Sequence, residues 1–162
     1  MGLPGAGKSS AARRAAGKLA RPFLDFDVEI ERREGMPVDR IFAERGEPYF
    51  RACELALTRE LAPGGGMVLA PGGGWITGAE ALELMRPRSV MIYLRMRPEA
   101  ALARLRRSRR VRPLLLAADP MATMRRLLAE RVPLYLTAHH VLDVASMTPA
   151  KLVAEVVRLA VG

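Results

Sequence analysis

Gly2-Leu3-Pro4-Gly5-Ala6-Gly7-Lys8-Ser9-Ser10 satisfies G-x-x-x-x-G-K-S/T, the phosphate-cradling Walker A pattern. Its glycines let successive backbone N–H groups curl around a phosphate, and a helix opening at Lys8 points its positive end at the same oxygens. Gly5, Ala6, Gly7, Lys8, Ser9 and Ser10 are therefore the candidate ATP-binding residues. Lys8 is placed to bridge the β- and γ-phosphates, and the Ser9 hydroxyl to ligate Mg²⁺. Such a loop hangs from the end of a buried strand, and only Met1 stands where that strand should finish. The expected sheet thus lacks its first, nucleotide-bearing strand, and the natural chain is expected to start upstream.

Working outward from the loop, short β-like runs alternate with helical patterns, the signature of a parallel sheet covered by helices. Strands are expected at residues 23–26, 67–70 and 90–94, with a weaker one at 141–144. Helices are expected at 8–19 and 98–105. Thr148 before Pro149 reads as the N-cap and first residue of a last helix reaching about residue 159. Pro133 should kink or end the helix that begins near Pro120. The reading is a three-layer α/β/α arrangement in one domain, 1–162, without repeat, linker or low-complexity tract.

Composition narrows the function classes. The 162 residues suffice for one hydrophobic core, and a single cysteine, Cys53, allows no internal disulfide. Residues 61–79 carry no charge, yet their glycines and prolines break any membrane-spanning helix. Neither a secretory leader nor a myristoylation signal is present at the N-terminus, so a cytoplasmic protein is expected. The net charge of +9 raises the question of nucleic acid. The arginines are spread along the chain without a DNA- or RNA-binding signature, and a positive field equally draws in ATP and small acids.

Asp25-Phe26-Asp27 falls where the second strand of such a fold ends, close to the phosphates. Two carboxylates so placed can divide the work: Asp25 holds Mg²⁺ through water, and Asp27 accepts the proton of an attacking hydroxyl. The same pair could simply cap a helix containing Ile30. Arg51 offers the planar fork that suits a carboxylate, or it could pair with Glu54 three residues on. Gly72-Gly73-Gly74 follows a strand; close approach of backbone to a ligand, or a loop needing positive φ, would each explain it.

The chain resembles the shikimate kinase family over essentially its whole length. Asp25-x-Asp27-x-x-Ile30-Glu31 is similar to that family's D-x-D-x-x-I-E, and Gly46-Glu47-Pro48-Tyr49-Phe50-Arg51-Ala52-Cys53-Glu54 to its G-E-x-x-F-R-x-x-E. The glycine triplet, Arg112-Pro113-Leu114-Leu115 and Arg131-x-x-x-Tyr135 follow in the family's order. The resemblance implies a P-loop kinase fold, with ATP-dependent phosphorylation of the 3-hydroxyl of shikimate by a monomer. It implies that Asp27 is the base and that Arg51 and Arg131 hold the substrate carboxylate. Gly72, Gly73 and Gly74 would meet the substrate ring, and Arg112, on a lid at about 107–120, would reach the transferring phosphate. Residues 28–60 would form the substrate-binding helical region.

Two rivals stay open: a kinase for another small hydroxy acid, and a non-catalytic ligand-sensing domain of the same family. Trp75 could line the substrate pocket or the core, and Cys53 should pack in a helix. The adjacent His139 and His140 point to opposite faces of a strand and do not suggest a shared metal. Ala145-Ser146-Met147-Thr148 carries no arginine where family members often keep one near adenine.

Overall fold

A computed structural model describes residues 1–108 and 113–162. Helix α1 (Lys8–Leu19) leads to strand β1 (Phe23–Asp25), then α2 (Phe26–Glu34) and α3 (Val38–Leu61). Next come β2 (Val68–Ala70), α4 (Ala79–Met85), β3 (Ile92–Arg95) and α5 (Pro98–Arg106). The described chain closes with α6 (Pro120–Tyr135), β4 (His140–Asp143) and α7 (Pro149–Val161).

Local chemistry accounts for the boundaries. Gly7 adopts the left-handed conformation ahead of α1 (φ 87°), which only glycine enters without strain. Asp25 accepts the Val28 N–H at 3.3 Å and so caps α2, which takes Phe26 out of the expected strand and into the helix. Thr148 caps α7 as expected, accepting the Lys151 N–H at 3.2 Å. Pro133 does not kink α6: the helix runs on to Tyr135, and the Leu136 N–H still reaches the Val132 carbonyl at 2.9 Å. Pro133 has no N–H to give the Ala129 carbonyl, and the helix continues past that one missing bond.

The strands are parallel, but they form two two-stranded sheets, β1 with β2 and β3 with β4, rather than one continuous sheet. Met1 lines the space between β2 and β3. Its amine donates to the Ile92 carbonyl at 2.6 Å and its carbonyl accepts the Leu94 N–H at 2.9 Å. Burial, reinforced by the charge of Lys8, pushes that amine down to about 5. Beside it lies a cavity of about 330 Å³, lined by Val68, Leu69 and Ala70 on one side and Ile92 and Leu94 on the other.

Strand β3 shows the layering, because successive side chains face opposite ways. Leu94 joins a core with α1, α5 and α7 through Ala11, Leu102 and Val153. Tyr93 joins a second core with α2, α3 and α4 through Ile30, Leu57 and Ala81. Helices therefore cover both faces, as the three-layer expectation required. Among the described residues no helix is long and apolar enough to cross a membrane.

Candidate active site

The phosphate loop is shaped by close backbone contacts. Gly5 has φ 86°, and a side chain there would drive Cβ to 2.3 Å from the Ala101 carbonyl oxygen of α5. Lys8 folds back over the loop, donating from Nζ to the carbonyls of Gly2 (2.9 Å) and Leu3 (3.0 Å). A cavity of about 320 Å³ opens in front, lined by Gly5, Gly7, Lys8, Ser9 and Ser10 on one side. Asp25, Asp27, Gly72 and Gly73 line the other. The structure thus brings the expected phosphate loop, the carboxylate pair and two glycines of the triplet, Gly72 and Gly73, to one cavity. Ser9 and Asp25 offer hard oxygen donors there, the kind Mg²⁺ takes beside phosphate.

Arg104, in the last turn of α5, also lines this cavity; its Nη1 is 3.7 Å from where a Cβ on Gly7 would sit. Sequence reasoning missed it inside a dense basic run. Its signal was periodicity: Leu102 and Leu105 are buried, so the residue between them and next to Leu105 flanks the core-facing stripe. Arg112, the expected lid arginine, lies outside the described residues.

The triplet is where the other candidates converge. None of its three glycines has positive φ, so a left-handed turn is not the reason for them. Close approach is. A Cβ on Gly72 would stand 2.7 Å from Glu54 Oε1 and 3.1 Å from Asp27 Oδ1. One on Gly73 would stand 3.2 Å from the Gly2 carbonyl oxygen and 3.5 Å from Arg131 Nη1, and one on Gly74 would overlap the Arg51 guanidinium. Asp27, Arg51 and Arg131 therefore surround one side-chain-free strip of backbone that also leans on the phosphate loop.

Of the two roles its sequence left open, the structure shows Arg51 in the ion-paired one. It meets Glu54 at 2.5 Å and Glu47 at 2.8 Å. Glu54 is only 2% exposed, and its buried Oε1 has no hydrogen-bond partner among the described residues. Burial pushes this carboxyl up to about 7, although Arg51 pulls the other way. The sequence offers Glu54 as the end of a motif and as an ion-pair partner for Arg51; its burial has no local signal. Trp75 proves to be a core residue, 5% exposed, donating from Nε1 to Thr58 Oγ1 at 2.9 Å and meeting Phe26 edge-on. Cys53 lies in α3, and His139 accepts the Met91 N–H through Nδ1 at 2.9 Å, a structural use.

A nucleotide-phosphate loop opening a helix, with a carboxylate pair at the neighbouring strand end across the same cavity, defines a P-loop protein of the nucleotide-phosphate-binding class. A family model described as shikimate kinase matches residues 4–160. The chain belongs to the shikimate kinase family. The shikimate kinase of Nitrobacter winogradskyi is 47% identical over 135 residues, 83% of this chain and 63% of that protein. The chain thus spans a little under two thirds of that relative. The shikimate kinase of Rhodopseudomonas palustris is 40% identical, over 97% of this chain and 77% of its own length. Among solved structures, shikimate kinase from Acinetobacter baumannii in complex with shikimate superimposes with a TM-score of 0.92 at 37% identity, covering 99% of this chain and 89% of that one.

Proposed function

We propose that this chain transfers the γ-phosphoryl group of ATP to the 3-hydroxyl of shikimate, giving ADP and shikimate 3-phosphate. Asp27 takes the hydroxyl proton as the new O–P bond forms and the bond from the γ-phosphorus to the β-bridging oxygen breaks. The phosphate loop, Gly5 to Ser10, and Arg104 hold the nucleotide phosphates, while Lys8 offsets charge that moves onto the β–γ bridge. Ser9, and Asp25 through water, would hold Mg²⁺, which would supply further charge neutralisation on the phosphates. Arg51 and Arg131 grip the substrate carboxylate with Gly72, Gly73 and Gly74 against the ring, which fixes the hydroxyl toward Asp27. Arg112 would close over the γ-phosphoryl oxygens from a lid at 107–120, and residues 28–60 would form the substrate-binding region of a single domain.

The observation that carries this reading is the convergence of Asp27, Arg51 and Arg131 on the glycine triplet beside the phosphate-loop cavity. A base alone would serve any alcohol, whereas two planar cationic forks select an acid. The same reading takes the chain as a cytoplasmic monomer, in the compartment where ATP is abundant. Coupled ADP release with shikimate, quinate, gluconate and glycerate tests it. Release that depends on shikimate and is at least an order of magnitude slower with the other acids is expected; equal release with gluconate, or none with any acid, would overturn it.

A further inference from the structure

Tyr135 ends α6, is fully buried, and carries a hydroxyl that none of the steps above uses. Its ring stacks on Tyr93 of β3, with centroids 4.8 Å apart and planes 21° from parallel. A buried tyrosine places its hydroxyl where a partner can be found. Here Oη donates to the Gly73 carbonyl at 2.6 Å, across 62 residues of chain. The Arg131 guanidinium, one helical turn back, lies against the same glycine, its Nη1 3.5 Å from where a Cβ on Gly73 would sit. Burial pushes this phenol up to about 12, so it keeps its proton and donates at any physiological pH.

The consequence is geometric. A trans peptide plane points its N–H opposite its C=O, so anchoring the Gly73 carbonyl also sets the direction of the Gly74 N–H. Three glycines in a row offer little resistance to reorientation by themselves. Arg131, for its part, is a long side chain whose rotamers must be narrowed before it can meet a carboxylate with both nitrogens. We propose that Tyr135 is a positioning residue, whose single hydroxyl fixes the glycine triplet at the Gly73 carbonyl, and so the strip of backbone against which Arg131 lies, for the carboxylate-bearing substrate. The stack on Tyr93 anchors this hydroxyl to the strand that also pairs with Met1 just ahead of the phosphate loop. The inference rests on the substrate reading given above.

Tyr135→Phe removes one oxygen and keeps the stack. It should raise KM for shikimate about tenfold, the loss of one buried hydrogen bond, with KM for ATP unchanged within about twofold and kcat less affected. In the free protein, amide exchange at residues 72–78 should accelerate about tenfold in the variant, and Tyr93→Phe should leave both readouts within about twofold of wild type. In the wild-type chain the Tyr135 hydroxyl proton should give a slowly exchanging resonance close to the Gly73 and Gly74 protons. That resonance tests the contact even if the variant does not fold, and its absence overturns the proposal. A folded Tyr135→Phe with lowered thermal stability but unchanged KM for shikimate reduces the residue to a packing role and overturns it. So does an equal rise in KM from Tyr93→Phe, which would signal general loosening. A wild-type chain that does not turn over shikimate overturns the substrate reading itself, whatever the variant does.

Discussion

Glu54 is the residue where stability and site chemistry meet. Its carboxyl is buried under Gly72, paired through Oε2 with Arg51 and, among the described residues, unpartnered at Oε1. Its folded pKa lies near 7 against an ordinary 4.5, so between these values the folded chain holds a proton the unfolded chain releases. The stability this contributes is complete below about pH 4.5 and is lost as pH rises through 7. Glu54→Gln keeps the shape and removes the titration. The stability of the variant relative to wild type should therefore rise between pH 4.5 and 8, by on the order of 2–4 kcal/mol. Paired urea denaturations at pH 5 and 8 check this; the opposing titration of the Met1 amine is common to both proteins and cancels in the difference. A relative stability that is flat with pH would mean that Glu54 stays ionised. Little of this was legible in the sequence. The motif placed Glu54 near Arg51, but its missing partner is a property of Gly72 lying across it, and long-range approach of that kind has no local signal.

At the scale of elements, a helix with a break and a strip of glycines do most of the positioning. Helix α3 departs from helical angles at Gly46 (φ 82°, ψ 168°), and Pro48 opens its second half, which carries Arg51 and Glu54. That half lays the Arg51 guanidinium on Gly74. Gly74 itself has φ −94°, a value any residue adopts, so only space forbids a side chain there. Gly74→Ala should leave the backbone unstrained and push the flexible guanidinium aside. The expected outcome is a rise of about tenfold or more in KM for shikimate, as for one lost charged hydrogen bond, with thermal stability nearly unchanged. Steady-state kinetics beside a thermal melt separate these. A large fall in melting temperature with KM intact would show that the triplet serves packing alone. Elements were read well where a chemical terminator was present: α1 matches its expected bounds from the glycines before Lys8, and α7 starts at the Thr148 cap. Phe26 was read as strand because its apolar neighbours outweighed the capping power of Asp25. Pro133 was weighed as a breaker without knowing that the helix had only two residues left to run.

For the whole molecule, the arrangement of layers followed from the alternation of strand and helix, and the broken sheet followed from what stands between β2 and β3. Parallel pairing is non-local, so the sequence announces strands but not the order in which they meet. The site was legible as a set of residue types in order, and its assembly around one backbone strip was not, because glycines carry no side chain to announce their neighbours. What the assembled molecule does is most directly tested by the bond it makes. The chain should be incubated with MgATP and shikimate, and the product examined by proton–phosphorus correlation spectroscopy. The account predicts one new phosphomonoester whose phosphorus couples to the proton on carbon 3 of shikimate, with ADP formed in equal amount. Phosphorus coupled to a different carbinol proton, or ADP formed without any shikimate phosphomonoester, would contradict it.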